Sequence, residues 1–316
     1  MNQEHNLVIY HANCTDGFGA AFAAWLKLGD SNVEYLPLDY KVNTLSALCN
    51  APNRPINEHT TIYILDFSFP KEVMLSLFKH AKCVVWLDHH KTAFESWLGN
   101  YGRGISHEER MENGSEIILD DNRSGAMIAW DYFHGDEHRP MFIRHIDDRD
   151  RWQFELNGTK EFHAALRSYE PWSFQQWEEM FAYRDHYGNM ITEGDAILRA
   201  HEQHVTSISR NAAPCSIEVR TEHEGKHPLL SYLPGLVVNC PPMFSSDVGH
   251  ELANRSGTFG LCWSLNKDGV NANCSLRSNG DYDVSVIAKK FGGGGHMNAA
   301  GFSVPVEQLL SWVNKE

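Results

Sequence analysis

The sequence lacks the features that mark a membrane or secreted protein. None of its apolar runs approaches the roughly 20 residues that a membrane-spanning helix requires. The first residues, Met1 to Asn6, are polar and lead directly into a strand-like segment, whereas a signal peptide begins with basic residues and continues into an apolar core. We therefore expect a cytoplasmic protein with no membrane partner.

Paired cysteines are also missing. The chain of 316 residues has seven cysteines, and none of them forms a C-x-x-C pair. A zinc site built on cysteines and a disulfide framework are both disfavoured, because each is marked by closely spaced or paired cysteines. Cys83, within the apolar segment AKCVVWL, is typical of a small buried side chain.

Positive charge is scarce. The chain has 27 Lys and Arg residues against 41 Asp and Glu residues, which gives a formal net charge of -14. Long duplex DNA is disfavoured as a partner, because binding to it depends on a basic face that releases counterions. A short anionic substrate stays compatible with the sequence, because bound divalent cations would reverse the sign of the charge in a site lined by carboxylates.

Strand and helix patterns alternate in the first part of the chain. Apolar, strand-like runs cover residues 7–12, 61–70 and 83–90, and helix-like segments at 18–29 and 71–81 separate them. This order predicts an open parallel α/β sheet. In such sheets, ligands bind beyond the carboxyl ends of the strands.

Polar residues stand at those strand ends. The set consists of His11, Asp16, Asp66, Asp88, His89 and His90, and the later segment RHIDDRDRW adds Asp147, Asp148 and Asp150. Carboxylates and imidazoles are ligands for manganese, iron or zinc, and two such ions about 4 Å apart can clamp a phosphate and activate water. A single strand-end Asp is more often a turn or cap residue. The joint order of these residues is what indicates a metal site.

The remaining chain predicts a second, smaller domain. Residues 124–133 are typical of a helix capped by Ser124, and the aromatic-rich stretch from Trp152 to Tyr187 is interpreted as core rather than as a surface that stacks nucleobases. Shorter strands begin at Ser216. We therefore predict a domain at residues 1–187, a helical linker at 188–215 and a second α/β domain at 216–316.

Several motifs together resemble the DHH phosphoesterase family. They are HANCTDGFGAA, ILDFSFP, LDHH and IDDRDRW, followed near the end of the chain by LRS and FGGGGHMNAAGF, which is similar to the signature of the DHH-associated domain. The resemblance covers nearly the whole chain. It implies an α/β fold in which a parallel-sheet DHH domain is followed by a smaller α/β DHH-associated domain.

The resemblance also implies roles for individual residues. Matched to the family's motifs, the metal ligands are His11, Asp16, Asp66 as the bridging carboxylate, His89 and Asp148. Asp147 and Asp150 compete with Asp148 for the last position, and their spacing does not choose between them. Asp88 and His90 match positions beside the ligands or the phosphate, so that Asp66, Asp88 and His90 form the expected catalytic group.

The first motif departs from the family pattern. Cys14 stands where the family usually has an aspartate, two residues before Asp16. Three consequences are open at this point: a more weakly held first ion, a first ion held by the Cys14 thiolate, or an ion that arrives mainly with the substrate. The alternative is that Cys14 only fills space in the core.

The glycine run near the end of the chain predicts a phosphate contact. Successive glycines allow backbone N–H groups to approach an anion closely, as expected for Gly293, Gly294 and Gly295. His296 and Arg277 can add hydrogen bonds to a phosphate or carboxylate. The competing interpretation is a flexible glycine loop with Arg277 as an edge charge.

These expectations lead to a function. We expect two-metal hydrolysis of phosphodiester bonds in short oligoribonucleotides or dinucleotides, with two Mn2+ ions, or Mg2+ or Co2+ in their place. A homodimer is compatible with the sequence. The alternatives are an exopolyphosphatase or pyrophosphatase, and a nucleotide-binding sensor that does not hydrolyse its ligand.

Overall fold

The chain divides into two compact units. A computed structural model of the protein describes residues 4–40, 55–182, 184–221 and 229–313. The first unit is Met1–Leu198 and the second is Arg199–Glu316. The division falls inside a long helix, α8 (Arg184–Ser209), and therefore inside the segment 188–215 that the sequence predicts as a linker. No helix in these described ranges is long and apolar enough to cross a membrane.

The first unit is built on a parallel sheet with helices on both faces. Its strands are β1 (His5–His11), β2 (Val33–Leu38), β3 (Thr60–Leu65), β4 (Cys83–Asp88), β5 (Ser106–Arg110) and β6 (Glu116–Asp120). Its helices are α1 (Thr15–Leu28), α2 (Lys71–His80), α3 (Lys91–Leu98), α4 (Gly125–His134), α5 (Met141–Asp150), α6 (Thr159–Ser168) and α7 (Phe174–Ala182), before α8.

The strand order places three polar strand ends side by side. The sheet runs β2-β1-β3-β4-β6-β5, and every pairing in it is parallel except that of β5 with β6. β1, β3 and β4 are direct neighbours in this order. Because the carboxyl ends of parallel strands meet at one edge, the residues that follow these three strands share that edge.

Alternation along the strands gives the sheet two buried faces. On β1, Val8 packs with α1, α4 and α5 in one apolar cluster, whereas Ile9 packs with α2 and α3 in another. Both side chains are fully buried. Strands buried on both faces are what the nearly continuous apolar runs of the sequence indicate.

The predicted fold class is confirmed, and so are the main elements of the first unit. The expected strands at 7–12, 61–70 and 83–90 correspond to β1, β3 and β4. The predicted cap at Ser124 is present, since its side chain accepts a hydrogen bond from Met127 N and α4 begins at the next residue. In the aromatic-rich stretch, Trp177 is fully buried in the core. Tyr183 lies outside the described residues.

The second unit contains a mixed sheet. Its strands are β7 (Ala213–Thr221), β8 (Leu229–Asn239), β9 (Phe259–Leu265), β10 (Asn271–Ser278), β11 (Gly294–Gly295) and β12 (Ala299–Pro305). Its helices are α9 (Ser245–Ser256), α10 (Val284–Lys290) and α11 (Val306–Trp312). The strand order is β11-β12-β10-β9-β8-β7, with β8 and β9 parallel and the other pairs antiparallel. Phe259, Leu261 and Leu276 lie in its buried core.

Candidate metal centre

Two groups of metal-binding side chains share one carboxylate at the edge where β1, β3 and β4 end. The first group is His11, Asp66 and His90, and the second is Asp16, Asp66 and His89. Within each group, the donor atoms all lie within 4.8 Å of one another. A carboxylate that belongs to both groups is the arrangement expected for a pair of ions with one bridging ligand.

The first group is held by the ends of β1, β3 and β4. Asp66 Oδ2 lies 3.4 Å from His11 Nδ1, and Asp66 Oδ1 lies 3.6 Å from His90 Nδ1. Asp88 Oδ1 fixes the His90 ring through a 2.7 Å contact with His90 Nδ1 and also accepts hydrogen bonds from the backbone N–H groups of His89 and His90. His90 is therefore a candidate ligand, and Asp88 orients it.

The second group surrounds the His89 ring with carboxylates. His89 Nε2 lies 3.1 Å from Asp66 Oδ1, 3.4 Å from Asp16 Oδ2 and 3.6 Å from Asp150 Oδ2. Asp16, Asp66 and His89 are all buried. Asp150, from the segment RHIDDRDRW, thus supplies a carboxylate at the place where the family resemblance leads us to expect one.

The structure places Asp150, and not Asp148, beside His89. The Asp148 carboxylate is turned toward the following loop, where it accepts hydrogen bonds from Glu155 N at 2.8 Å, from Leu156 N at 3.2 Å and from the Thr159 hydroxyl. Sequence spacing left this choice open. The geometry favours Asp150 over Asp148 as the proposed ligand, because on α5 the two residues are two positions apart and therefore face different directions.

Asp147 is occupied elsewhere as well. Its Oδ1 atom accepts a hydrogen bond from Ser124 N at 2.7 Å, and its Oδ2 atom lies 3.6 Å from Arg151 Nη1. Of the three competing aspartates, Asp150 is therefore the one that we assign to the second group.

The start of α4 positions Asp16 and Asp66. Gly125 N donates to Asp16 Oδ2 at 2.7 Å, and Ala126 N donates to Asp16 Oδ1 at 2.9 Å. An added Cβ at Gly125 would lie 2.5 Å from the Asp66 Cβ atom, so only glycine allows this approach. Sequence reasoning identified Ser124 as a cap but missed both donors, because nothing in the pattern shows that a helix start lies against the first motif.

Gly17 has a comparable role on the other side of the site. A Cβ atom at Gly17 would lie 2.3 Å from the His11 carbonyl oxygen and 2.8 Å from His11 Cβ. The glycine that follows Asp16 in the first motif therefore lets α1 begin directly against the end of β1. In this case the sequence signal is the motif itself.

Burial and mutual repulsion act on the carboxyl groups. Burial raises the pKa of Asp16 well above its usual range, and the neighbouring Asp150 and Asp66 carboxylates raise it further. Burial also raises the pKa of Asp150, although His89 opposes the shift. Burial alone would raise the pKa of Asp66 too, but the neighbouring His11 and His89 imidazoles hold it below its usual range. A cation would relieve this repulsion.

The imidazoles respond in the opposite sense. Burial alone would lower the pKa of His11, but Asp66 and Cys14 raise it to about 11. The pKa of His89 also lies well above its usual range, since Asp66, Asp150 and Asp16 outweigh the effect of burial. The surrounding carboxylates thus favour positive charge at these two rings.

The residues fit a pair of divalent transition-metal ions. Three buried polar atoms of the site have no hydrogen-bond partner among the residues that the structure describes: His11 Nδ1, Asp66 Oδ2 and Asp88 Oδ2. Buried polar atoms are normally paired, and unpaired ones point to an ion or another ligand. Two or more carboxylates together with imidazole nitrogens favour manganese, iron or zinc over calcium.

Metal binding should depend on pH. Because the pKa of His11 is raised to about 11 and that of His89 also lies above its usual range, each ring keeps its proton to a higher pH than a free imidazole and must lose it to bind an ion. We expect the affinity for Mn2+ to rise with pH, by about tenfold per pH unit for each proton released. Calorimetry in buffers of different ionisation enthalpy measures the protons released, and an affinity that stays constant over about two pH units around neutrality would contradict this expectation.

Substitution of Asp150 should affect Mn2+ binding, whereas substitution of Asp148 should affect stability. We expect Asp150→Ala to weaken Mn2+ binding by about 100-fold while leaving the thermal stability of the metal-free protein unchanged or raised, because the substitution removes a half-buried carboxyl group that neighbouring carboxylates repel. We expect Asp148→Ala to lower the free energy of unfolding by about 1–3 kcal/mol, since the loop N–H groups lose their acceptor. Calorimetry and thermal unfolding of both variants make the comparison, and the reverse pattern would restore Asp148 as the ligand.

Cys14 lies beside the first group. It precedes α1 and is half-buried, and burial raises the pKa of its thiol although His11 opposes the shift. Cys14 belongs to neither of the two donor groups formed by the described residues. A direct role of Cys14 in binding an ion stays a prediction.

In the second unit, two residues of the glycine run form a short strand, β11. Gly294 pairs with Gly301 and Gly295 pairs with Ala300. Gly293 N donates to Ala288 O at 2.9 Å, and His296 N donates to Ala299 O at 2.8 Å. These two N–H groups are therefore bonded within the fold, and a phosphate contact of Gly293, Gly294 and Gly295 stays a prediction.

The glycines are nevertheless required by the close approach of β11 to β12. A Cβ atom at Gly293 would lie 2.0 Å from Gly301 O, and Gly295 has a φ of +136°. Arg277 is half-buried on β10, where its guanidinium donates to Ser246 Oγ and to Leu276 O, both at 2.8 Å. Contact of Arg277 and His296 with a substrate stays a prediction.

Comparison with known proteins matches both parts of the chain. A family model described as the DHHA1 domain matches residues 252–315, within the second unit. The uncharacterized protein R106 of Acanthamoeba polyphaga mimivirus is 30% identical over 312 residues, which cover 94% of this chain and 67% of R106.

Solved structures give more distant similarities. PggH, a pGpG-specific phosphodiesterase from Vibrio cholerae, is 11% identical, with a TM-score of 0.39 over 98% of this chain and 96% of its own. RecJ from Thermus thermophilus, solved in complex with Mn2+, is 10% identical, with a TM-score of 0.49 over 98% of this chain and 50% of its own. These scores are low, so the assignment of the family depends on the DHHA1 match and on R106. The chain belongs to the DHH family, carries its DHHA1 domain at residues 252–315, and is a homologue of R106.

Proposed function

We propose that this protein is a metal-dependent phosphodiesterase that hydrolyses short oligoribonucleotides or dinucleotides. The observation that carries the proposal is the pair of donor groups that share Asp66, with His11 and His90 on one side and Asp16 and His89 on the other. Two ions at such a site would offset the charge that develops on phosphate oxygens and would supply a water for attack at phosphorus.

The chain's own residues prepare the site for an anionic substrate. Asp66 holds the two groups together, and Asp88 fixes the orientation of the His90 ring. The N-terminus of α4 holds Asp16 through two backbone N–H groups, which keeps this buried carboxylate in place before any ion binds. Preorganisation of this kind lowers the cost of reorganising the site during the reaction.

The substrate should be short. The net charge of -14 opposes binding of a long polyanion outside the metal site, whereas a short one is neutralised mainly by the ions. Arg277 and His296 of the second unit are the residues whose side chains we propose to donate hydrogen bonds to the substrate, beside the glycine run.

A substrate screen with added Mn2+ tests the proposal. We expect turnover of 5′-phosphorylated dinucleotides and short oligoribonucleotides, loss of turnover with excess chelator, and little activity with calcium. Long duplex DNA and inorganic polyphosphate serve as comparison substrates. Faster hydrolysis of polyphosphate than of dinucleotides would replace the proposal with a polyphosphatase, and metal binding without any turnover would indicate a nucleotide-binding sensor.

A further inference from the structure

The turn after β3 aims the shared carboxylate into the metal centre. Asp66 has a φ of +52°, a left-handed conformation that is uncommon outside glycine. Its backbone N–H donates to Leu87 O at 2.9 Å, and the next carbonyl, Phe67 O, accepts a hydrogen bond from Trp86 Nε1 at 3.0 Å. A residue in such a conformation persists only where its surroundings hold it there.

Tyr40 holds the same turn from the side of β2. Its ring stacks on the fully buried Phe67 ring, with centroids 4.3 Å apart and an angle of 21° between the planes. Its hydroxyl oxygen accepts a hydrogen bond from Ser68 N at 3.0 Å. Tyr40 therefore contacts both residues that follow Asp66, one through its ring and the other through its hydroxyl.

Tyr40 also packs against both imidazoles of the first donor group. Its ring lies edge-on to His11, with centroids 5.2 Å apart, and edge-on to His90, at 6.1 Å. One side chain thus touches His11, His90 and the turn that carries Asp66. No sequence pattern indicates this, because Tyr40 belongs to none of the motifs and reaches the site only through the pairing of β1 with β2.

We propose that Tyr40 is a positioning residue for the first metal position, and that it sets the geometry of His11, His90 and the Asp66 carboxylate. This inference rests on the proposed function, since it concerns the same metal centre. The hydroxyl fixes the backbone of the Asp66 turn, and the ring limits the rotation of the two imidazoles.

Two variants separate the parts of this role. Tyr40→Phe keeps the ring and removes the hydroxyl acceptor of Ser68 N, and Tyr40→Ala removes both. Tyr35→Phe is the matched control, because the Tyr35 hydroxyl donates to the backbone Gly29 O at 2.9 Å and Tyr35, on β2, packs against Phe174 in the core, away from the donor groups.

Calorimetric titration of the metal-free full-length chain with Mn2+ provides a readout that is independent of turnover. We expect two binding events in the wild-type protein and in Tyr35→Phe. Tyr40→Phe should weaken one of them by about fivefold, the size expected for one lost hydrogen bond. Tyr40→Ala should weaken the same event by about 100-fold, with kcat lowered to a similar extent and KM nearly unchanged.

The outcomes distinguish this inference from the proposed function. Two Mn2+ ions bound equally well by the wild type and both Tyr40 variants would overturn the role of Tyr40 and leave the metal centre intact. A wild-type protein that binds no Mn2+ would overturn the proposed function itself. If Tyr40→Ala lowered thermal stability while Mn2+ affinity stayed at the wild-type value, Tyr40 would be a purely structural residue and the inference would be wrong.

Discussion

Replacing Asp66 by asparagine should abolish hydrolysis and leave the fold intact. Asp66 lies within reach of His11, His89 and His90, so the substitution removes the negative charge that both donor groups share. Asparagine tolerates the left-handed backbone conformation of this position better than alanine does. We expect kcat to fall by at least about 10³-fold, which corresponds to about 4 kcal/mol in the activation free energy.

The metal content should fall together with the activity. We expect bound Mn2+ in Asp66→Asn, measured by elemental analysis after dialysis, to be well below the wild-type value. A carboxamide offers one neutral oxygen in place of a shared carboxylate. Turnover near the wild-type rate would show that Asp66 does not bridge the two groups.

Asp120→Asn is a matched control for this variant. Asp120 is another buried aspartate at the end of a parallel strand, β6, but its carboxylate accepts hydrogen bonds from Asn122 N at 2.9 Å and from Arg123 Nε at 2.6 Å. We expect the control to lose about 1–3 kcal/mol of unfolding free energy through these bonds. Its turnover and Mn2+ content should match those of the wild type.

Gly125→Ala should damage the site through a single methyl group. The added Cβ would lie 2.5 Å from Asp66 Cβ and 2.9 Å from Asp66 Cγ, so the start of α4 and the Asp66 turn must move apart. Because Gly125 N donates a hydrogen bond to Asp16, a shift of Gly125 would also displace the Asp16 carboxylate. We expect kcat to fall by about 100-fold, because displacement of a catalytic group by about 1 Å has effects of this size.

Stability should fall in the same variant. Overpacking a buried position costs about 1–3 kcal/mol, which exceeds the gain of about 1 kcal/mol that alanine brings over glycine within a helix. Thermal unfolding and steady-state kinetics measure the two effects. A stable variant with unchanged kcat would show that the approach of α4 to Asp66 is looser than the structure indicates.

Gly188→Ala is the control for helix propensity. Gly188 lies within α8 and is exposed, and beyond its own turn of helix a methyl group added there would meet no atom of the described residues within 4 Å. There the substitution should stabilise the protein by about 0.5–1 kcal/mol and leave turnover unchanged. The contrast between the two glycines separates the steric effect at the site from the general effect of alanine on a helix.

The sequence was sufficient for the fold class and for placing the proposed metal ligands at one edge of the sheet. Buried strands leave nearly continuous apolar runs, so β1, β3 and β4 could be located from the pattern alone. Since parallel strands bring their carboxyl ends together, the residues His11, Asp66 and His89 could be assigned to one edge from the sequence. The strand order confirms that these three strands are direct neighbours.

Tertiary structure alone decided the residues whose roles depend on direction or on distant contacts. Asp148 and Asp150 are chemically identical and two positions apart, and only the path of α5 directs Asp150 toward His89. The glycine run indicated a phosphate contact, but only the structure shows that Gly294 and Gly295 pair with β12 as a short strand. Such distinctions are absent from the sequence, because hydrogen-bonding partners far along the chain determine them.

The residues that hold the site in place show the same contrast between what the sequence and what the tertiary structure determine. Asp16, Asp66 and the histidines belong to motifs because their chemistry constrains which residues can occupy those positions. Tyr40 and Gly125 reach the site through the pairing of β1 with β2 and the packing of α4 against the Asp66 turn. Their function comes from shape and position and not from ligand chemistry, so the sequence determined the donor atoms, whereas the packing of strands and helices determined how those atoms are held.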